Sequence, residues 1–100
     1  MIDELRARFL PRFAQSTAAR LARARDFLDR GDAEALSREL HALAGEARML
    51  DLTSVAEEAS RAEAAAMAWA RAPGSEDSRT ACAAGLDAVT VRVGAPFSAP

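Results

Sequence analysis

Apolar residues recur along this chain at alternating steps of three and four, the spacing that lines one face of an α-helix. Leu10, Ala14, Thr17, Leu21, Ala24 and Leu28 form the first long stripe, with Phe13 and Phe27 beside it. Ala33, Leu36, Leu40, Leu43, Ala47 and Leu50 form a second, and Leu52, Val55, Ala59, Ala62, Ala66 and Trp69 a third. Cys82, Leu86, Val89 and Val93 mark a last helix, weakened by Gly85 and its own valines. Breaks fall between the stripes. Gly31 suits a left-handed helix end and Asp32 is a good N-cap for the next helix. Between Asp51 and Ser54 the pattern lapses again, where Ser54 with Glu57 matches a capping box and Thr53 is the alternative cap. Pro73 and Gly74 close the third stripe, and Ser75 or Ser78 opens the last. Ahead of them all, Ile2 to Phe9 reads as a short helix ended or bent at Pro11, whose ring excludes the backbone bond to the preceding turn.

Four amphipathic segments joined by short loops hide their stripes together by packing side by side. The expected architecture is therefore all-α: an antiparallel up-down four-helix bundle, with the short N-terminal helix capping one end. Residues 1–93 should form the bundle and residues 94–100, with two prolines and a glycine, a flexible tail. At 100 residues there is room for one core only.

Composition sharpens this picture. Half the chain is hydrophobic, but 26 of those residues are alanine, so large core side chains are few and the helices must approach closely. Every cationic side chain is arginine, and the formal net charge of -2 gives no general attraction to nucleic acid or anionic lipid. One cysteine, Cys82, cannot form an internal disulfide; no signal-like segment and no apolar run of about 20 residues is present, so a cytoplasmic protein without a membrane span is expected.

The single histidine, His41, carries the candidate chemistry. With about 100° of rotation per residue, it falls roughly 130° from the apolar direction of its helix and should face solvent. Ser37, Arg38, Ala44, Gly45 and Arg48 lie at helical spacings around it, a small and basic neighbourhood. Gly45 is informative, because glycine inside a helix costs about 1 kcal/mol relative to alanine. Next to an exposed imidazole, a missing side chain lets another protein's backbone come close. A largely uncharged imidazole has a nitrogen lone pair available for attack, and phosphoryl transfer asks mainly for positioning and positive charge, which Arg48 and Arg38 could supply.

The string from His41 through Ala42, Leu43, Ala44, Gly45, Glu46, Ala47, Arg48, Met49, Leu50 and Asp51 to Leu52 resembles the histidine-containing phosphotransfer (HPt) family. Upstream, Gly31 to Leu36 and the long helix beginning near Phe9 extend the likeness over roughly residues 2–63. The resemblance implies a four-helix bundle whose histidine accepts a phosphoryl group from the aspartyl phosphate of a receiver domain and passes it to another. His41 matches the accepting position and Gly45 the close-approach glycine. Two positions depart from the family pattern: Ala44 stands where a lysine is usual, and Asp51 where a glycine precedes the next helix.

Other functions are weighed against this one. Nothing beyond the bundle could bind ATP, so the protein would be no autonomous kinase and needs a phosphoryl donor; no cofactor is implied. Arg38 occupies the position three before His41, so the Glu-x-x-His spacing of a carboxylate-bridged metal bundle is missing and no metal is expected. A hydrolase would lack its base, since the one histidine is the nucleophile. The serious rival is a non-catalytic adaptor that docks receiver domains without carrying phosphate. A third reading, a bundle that dimerises through Ala64, Ala65, Met67 and Ala68, competes with tight packing inside a monomer, which is the expected state.

Overall fold

A computed structural model describes residues 2–97, which form four helices and, among the described residues, no strand. They are α1 (Ile2–Arg30), α2 (Ala33–Met49), α3 (Thr53–Arg71) and α4 (Glu76–Phe97). Each stripe meets its neighbours in one core. From α2 come Leu36, Leu40, Leu43 and Ala47; from α3, Val55, Ala59, Ala62, Ala66 and Trp69; from α4, Cys82, Leu86, Val89 and Val93. On α1 the buried line is Phe13, Thr17, Ala24 and Leu28, so Phe13 rather than half-buried Ala14 occupies the seam.

The N-terminal segment corrects one expectation. There is no separate capping helix: α1 runs without interruption from Ile2 through Pro11 to Arg30. Proline removes one backbone donor and crowds one carbonyl, at a price of about 3 kcal/mol, but it does not forbid helix on either side. Here good helix formers flank it, and Phe13 and Thr17 lock the next turn into the core. The C-terminal expectation is corrected as well. Gly94 does not end α4, which continues to Phe97, because glycine in a helix lowers stability without breaking it. Residues 98–100 of the expected tail lie outside the described part.

Two turns flank α2 and share one backbone geometry. After α1, the Asp32 N–H donates to the Phe27 carbonyl (2.9 Å) and Gly31 N–H to Leu28 (3.2 Å), with Gly31 at φ 78°. After α2, Leu52 N–H donates to Ala47 (2.8 Å) and Asp51 N–H to Arg48 (3.1 Å), with Asp51 at φ 59°. Both are Schellman ends, whose pivotal residue is left-handed. Aspartate stands in for glycine at the second because its short polar side chain tolerates that region better than most. Asp32 caps α2, accepting from Ala35 N–H at 3.1 Å, and Ser75 caps α4, accepting from Ser78 N–H at 3.1 Å. Neither the Ser54–Glu57 capping box nor the Thr53 cap forms: Leu52 is the N-cap of α3, without a side-chain bond, because the Schellman end fixes the chain's entry two residues before Ser54 and one before Thr53.

Side-chain pairs record the order in which helices meet. Glu39 and Glu46 of α2 meet Arg23 and Arg20 of α1, His41 and Arg48 meet Glu63 and Ser60 of α3, and Arg92 of α4 reaches Glu58 of α3. At one end, Arg79 lies 5.7 Å over the Trp69 ring and donates to the carbonyls of Leu28 and Asp29, fastening α4 to the end of α1. Within the described residues no helix is long and apolar enough to cross a membrane.

Candidate functional site

His41 sits midway along α2, and 73% of its side chain is exposed although Leu40 and Leu43 beside it are fully buried. The rotation of the helix accounts for both facts. Its Nδ1 lies 3.0 Å from the Glu63 Oε2 on α3. A carboxylate only accepts, so Nδ1 donates the proton and the lone pair of the neutral ring resides on Nε2, which has no partner among the described residues. Glu63 follows the buried Ala62, at the margin of the α3 stripe, and is itself half-buried. The imidazole is therefore oriented by a neighbouring helix while its Nε2 edge stays open.

The flanking positions divide. Gly45, one turn beyond His41, has nothing within 4 Å of the place a Cβ would occupy. Nothing inside the molecule requires a glycine there. Arg48, two turns beyond His41 and exposed, donates through Nη2 to the Ser60 Oγ at 2.6 Å. Arg38, one turn before His41, is exposed on the other flank, where it borders a small cavity with Arg20, Phe27, Ala35 and Glu39. Ser37 is half-buried.

Ala44 is a correction. Expected beside His41 on the outer face, it is completely buried, at 0% exposure. It stands about 60° of rotation nearer the apolar seam than His41 does, and the close packing of α2 on α3 extends the buried sector that far. Its methyl belongs to the core.

On the α1 side, α2 is held by ions. Arg20 donates to Glu46 through Nε (3.0 Å) and Nη2, and to Glu39 through Nη1 (3.2 Å), while Arg23 Nε donates to Glu39 at 2.6 Å. The Glu46 bond, with help from Glu39, raises Arg20 above the ordinary guanidinium value against the opposing effect of burial. Burial pushes the Glu39 carboxyl up, but the hydrogen bonds from Arg23 and Arg20 outweigh it and hold the group below the usual carboxylate range. Above this clamp, at the C-terminal end of α2, Phe9, Arg12, Phe13, Ser16, Glu46, Met49 and Leu50 line an open, largely apolar groove of about 390 Å³. Phe9 is 39% and Met49 86% exposed.

Glu63 and Ser60 are the site residues that the sequence reading did not single out. A signal existed for Glu63 alone: counted away from the turn at Asp51, position 63 of α3 comes nearly opposite 41 of α2, whereas Ser60 lies much farther from the turn than Arg48 and is met only through the length of the arginine side chain. Without a fixed turn geometry that register is ambiguous by a helical step, and polar residues on a stripe margin look like ordinary solvated positions.

An all-helical fold with an exposed, carboxylate-oriented histidine halfway along one helix defines a class, and the sequence comparison agrees with it. Residues 8–93 match the Hpt domain family, and the chain belongs to that family. It is thereby placed among the histidine phosphotransfer domains of two-component phosphorelays, which interact with receiver domains. No curated protein and no solved structure matches the chain.

Proposed function

We propose that this domain relays phosphoryl groups, with His41 accepting from the aspartyl phosphate of a receiver domain and returning the group to a receiver aspartate. The observation that carries the reading is the His41 ring itself, with Nδ1 bonded to Glu63 and Nε2 open to solvent. In the transfer, the Nε2 lone pair attacks phosphorus in line, the bond between phosphorus and the aspartyl oxygen breaks, and its electron pair stays with the aspartate. No proton has to move. The Nδ1 proton remains on the ring, and the positive charge that attack leaves on the imidazole is offset by the Glu63 carboxylate. Reversal requires the same groups, so flow in either direction uses one geometry.

Gly45 admits the receiver's backbone, and Arg48, with Arg38 on the opposite flank, supplies the positive charge that a lysine at position 44 gives other family members. The apolar groove beside Met49, on the α1 flank at the C-terminal end of α2, offers the partner a further hydrophobic hold. We read the partner order of the side-chain pairs as that of an antiparallel up-down bundle over residues 1–93, acting as a cytoplasmic monomer.

Incubation with a phosphorylated receiver tests this directly. Acid-labile, base-stable phosphate should appear on the chain and map to His41, and His41→Ala should abolish it while receiver binding survives. The alternative, an adaptor that docks receivers without carrying phosphate, is favoured by the single observation that Ala44 replaces the lysine. Receiver binding by wild type without phosphate from any competent donor would establish it.

A further inference from the structure

We propose that Ser60 on α3 is a positioning residue for this transfer, holding the Arg48 guanidinium uncompensated beside His41; the inference rests on the phosphotransfer reading above. Ser60 and Glu63 are one turn apart on α3 and therefore share a face. Each binds a side chain of α2: Glu63 takes the His41 Nδ1 and Ser60 takes the Arg48 Nη2 at 2.6 Å. One turn of α3 thus orients both the nucleophile and the cation.

What Ser60 leaves unpaired matters as much as what it holds. A hydroxyl engages one of five guanidinium N–H groups and neutralises no charge. Arg20, Arg23, Arg25, Arg30, Arg61 and Arg92 all pair with carboxylates. Arg48 has no carboxylate partner among the described residues, although Asp51 and Glu57 border the same small cavity of about 190 Å³. Tethered to Ser60, the guanidinium is kept from them with most of its donors available for phosphate oxygens.

The path to the imidazole is also clear. Side chains on a helix lean toward its N-terminus, so Arg48 leans toward His41 across the turn occupied by Ala44 and Gly45. Ala44 is buried and Gly45 has no side chain, so neither residue of that turn puts a side chain between the two.

The test is a double-mutant cycle on the full chain, using wild type, Ser60→Ala, Arg48→Ala and the double variant. Transfer from a phosphorylated receiver, the lifetime of the phosphohistidine and the thermal midpoint are measured for each. Arg48→Ala should slow transfer roughly tenfold to a hundredfold, the scale of a lost charge-assisted hydrogen bond. Ser60→Ala should slow it several-fold and add nothing once Arg48 is gone. Ser60→Asp, which would neutralise the guanidinium, should match Arg48→Ala in rate while the fold melts no earlier than wild type. If wild type is charged normally and Ser60→Ala either leaves the rate unchanged or acts equally without Arg48, the positioning role is overturned. A wild-type chain that docks receivers but accepts no phosphate instead overturns the phosphotransfer reading itself.

Discussion

Gly45 and Gly85 both lie inside helices, and they lack a side chain for opposite reasons. A Cβ on Gly85 would come 3.1 Å from the Ala62 Cβ and 3.2 Å from its Cα, so glycine is what lets α4 settle against α3. A Cβ on Gly45 would meet nothing within 4 Å. The fold explains the first glycine and gives no reason for the second. The space above Gly45 is open and adjoins the exposed His41; under the proposed function it is room for a receiver's backbone.

That contrast is sharpest under substitution with a large residue. Gly85→Leu should lose about 3 kcal/mol, since overpacking a closed seam costs roughly 1–3 kcal/mol or more. At about 4–8 °C per kcal/mol for a domain of this size, a melt followed by circular dichroism should shift by 10 °C or more. Gly45→Leu should leave the melt unchanged or raise it, yet reduce transfer from a phosphorylated receiver at least about tenfold by blocking approach, equivalent to about 1.4 kcal/mol. A Gly45→Leu chain that unfolds early, or one that transfers at the wild-type rate, breaks the comparison.

The ionic flank of α2 supplies a smaller effect that should spare the site. Glu39→Gln should cost about 1 kcal/mol at neutral pH, because the side chain is only 15% exposed and two arginines hold it. The folded carboxyl titrates below its unfolded counterpart, so its stabilisation is present above the usual carboxylate range and vanishes as pH falls through the folded value. Denaturant melts of wild type and Glu39→Gln should therefore converge in acid. A constant gap across that range removes the arginine clamp from the account.

Asp51 separates a third reason for glycine, backbone conformation, from the two above. It holds φ 59° at the end of α2. Asp51→Gly should stabilise the protein by about 0.5–1 kcal/mol, detectable as a higher denaturant midpoint, by relieving the left-handed penalty. Transfer through His41 should not change.

Much of this molecule was legible in the one-dimensional pattern. The α2, α3 and α4 stripes became the core nearly residue for residue, the Gly31–Asp32 turn formed as read, and His41 faces solvent because rotation per residue is a local property of the helix. The stripe of α1 was less legible, since Phe13 and Ala14 both flank its seam and only packing against the other helices chose the larger one. Pro11 misled for a related reason: its local penalty is modest, and tertiary anchoring by Phe13 and Thr17 carries the helix past it.

The site divides along the same line. Periodicity within one helix sufficed to set His41, Gly45 and Arg48 on an outer face, because each depends only on position along α2. Whether Ala44 is covered, which nitrogen of His41 is left open and what holds Arg48 depend on where α3 lies, and a helix's own sequence does not encode its neighbour's register. Short-range geometry wrote the exposed histidine into the chain; the meeting of two helices supplied Glu63 and Ser60.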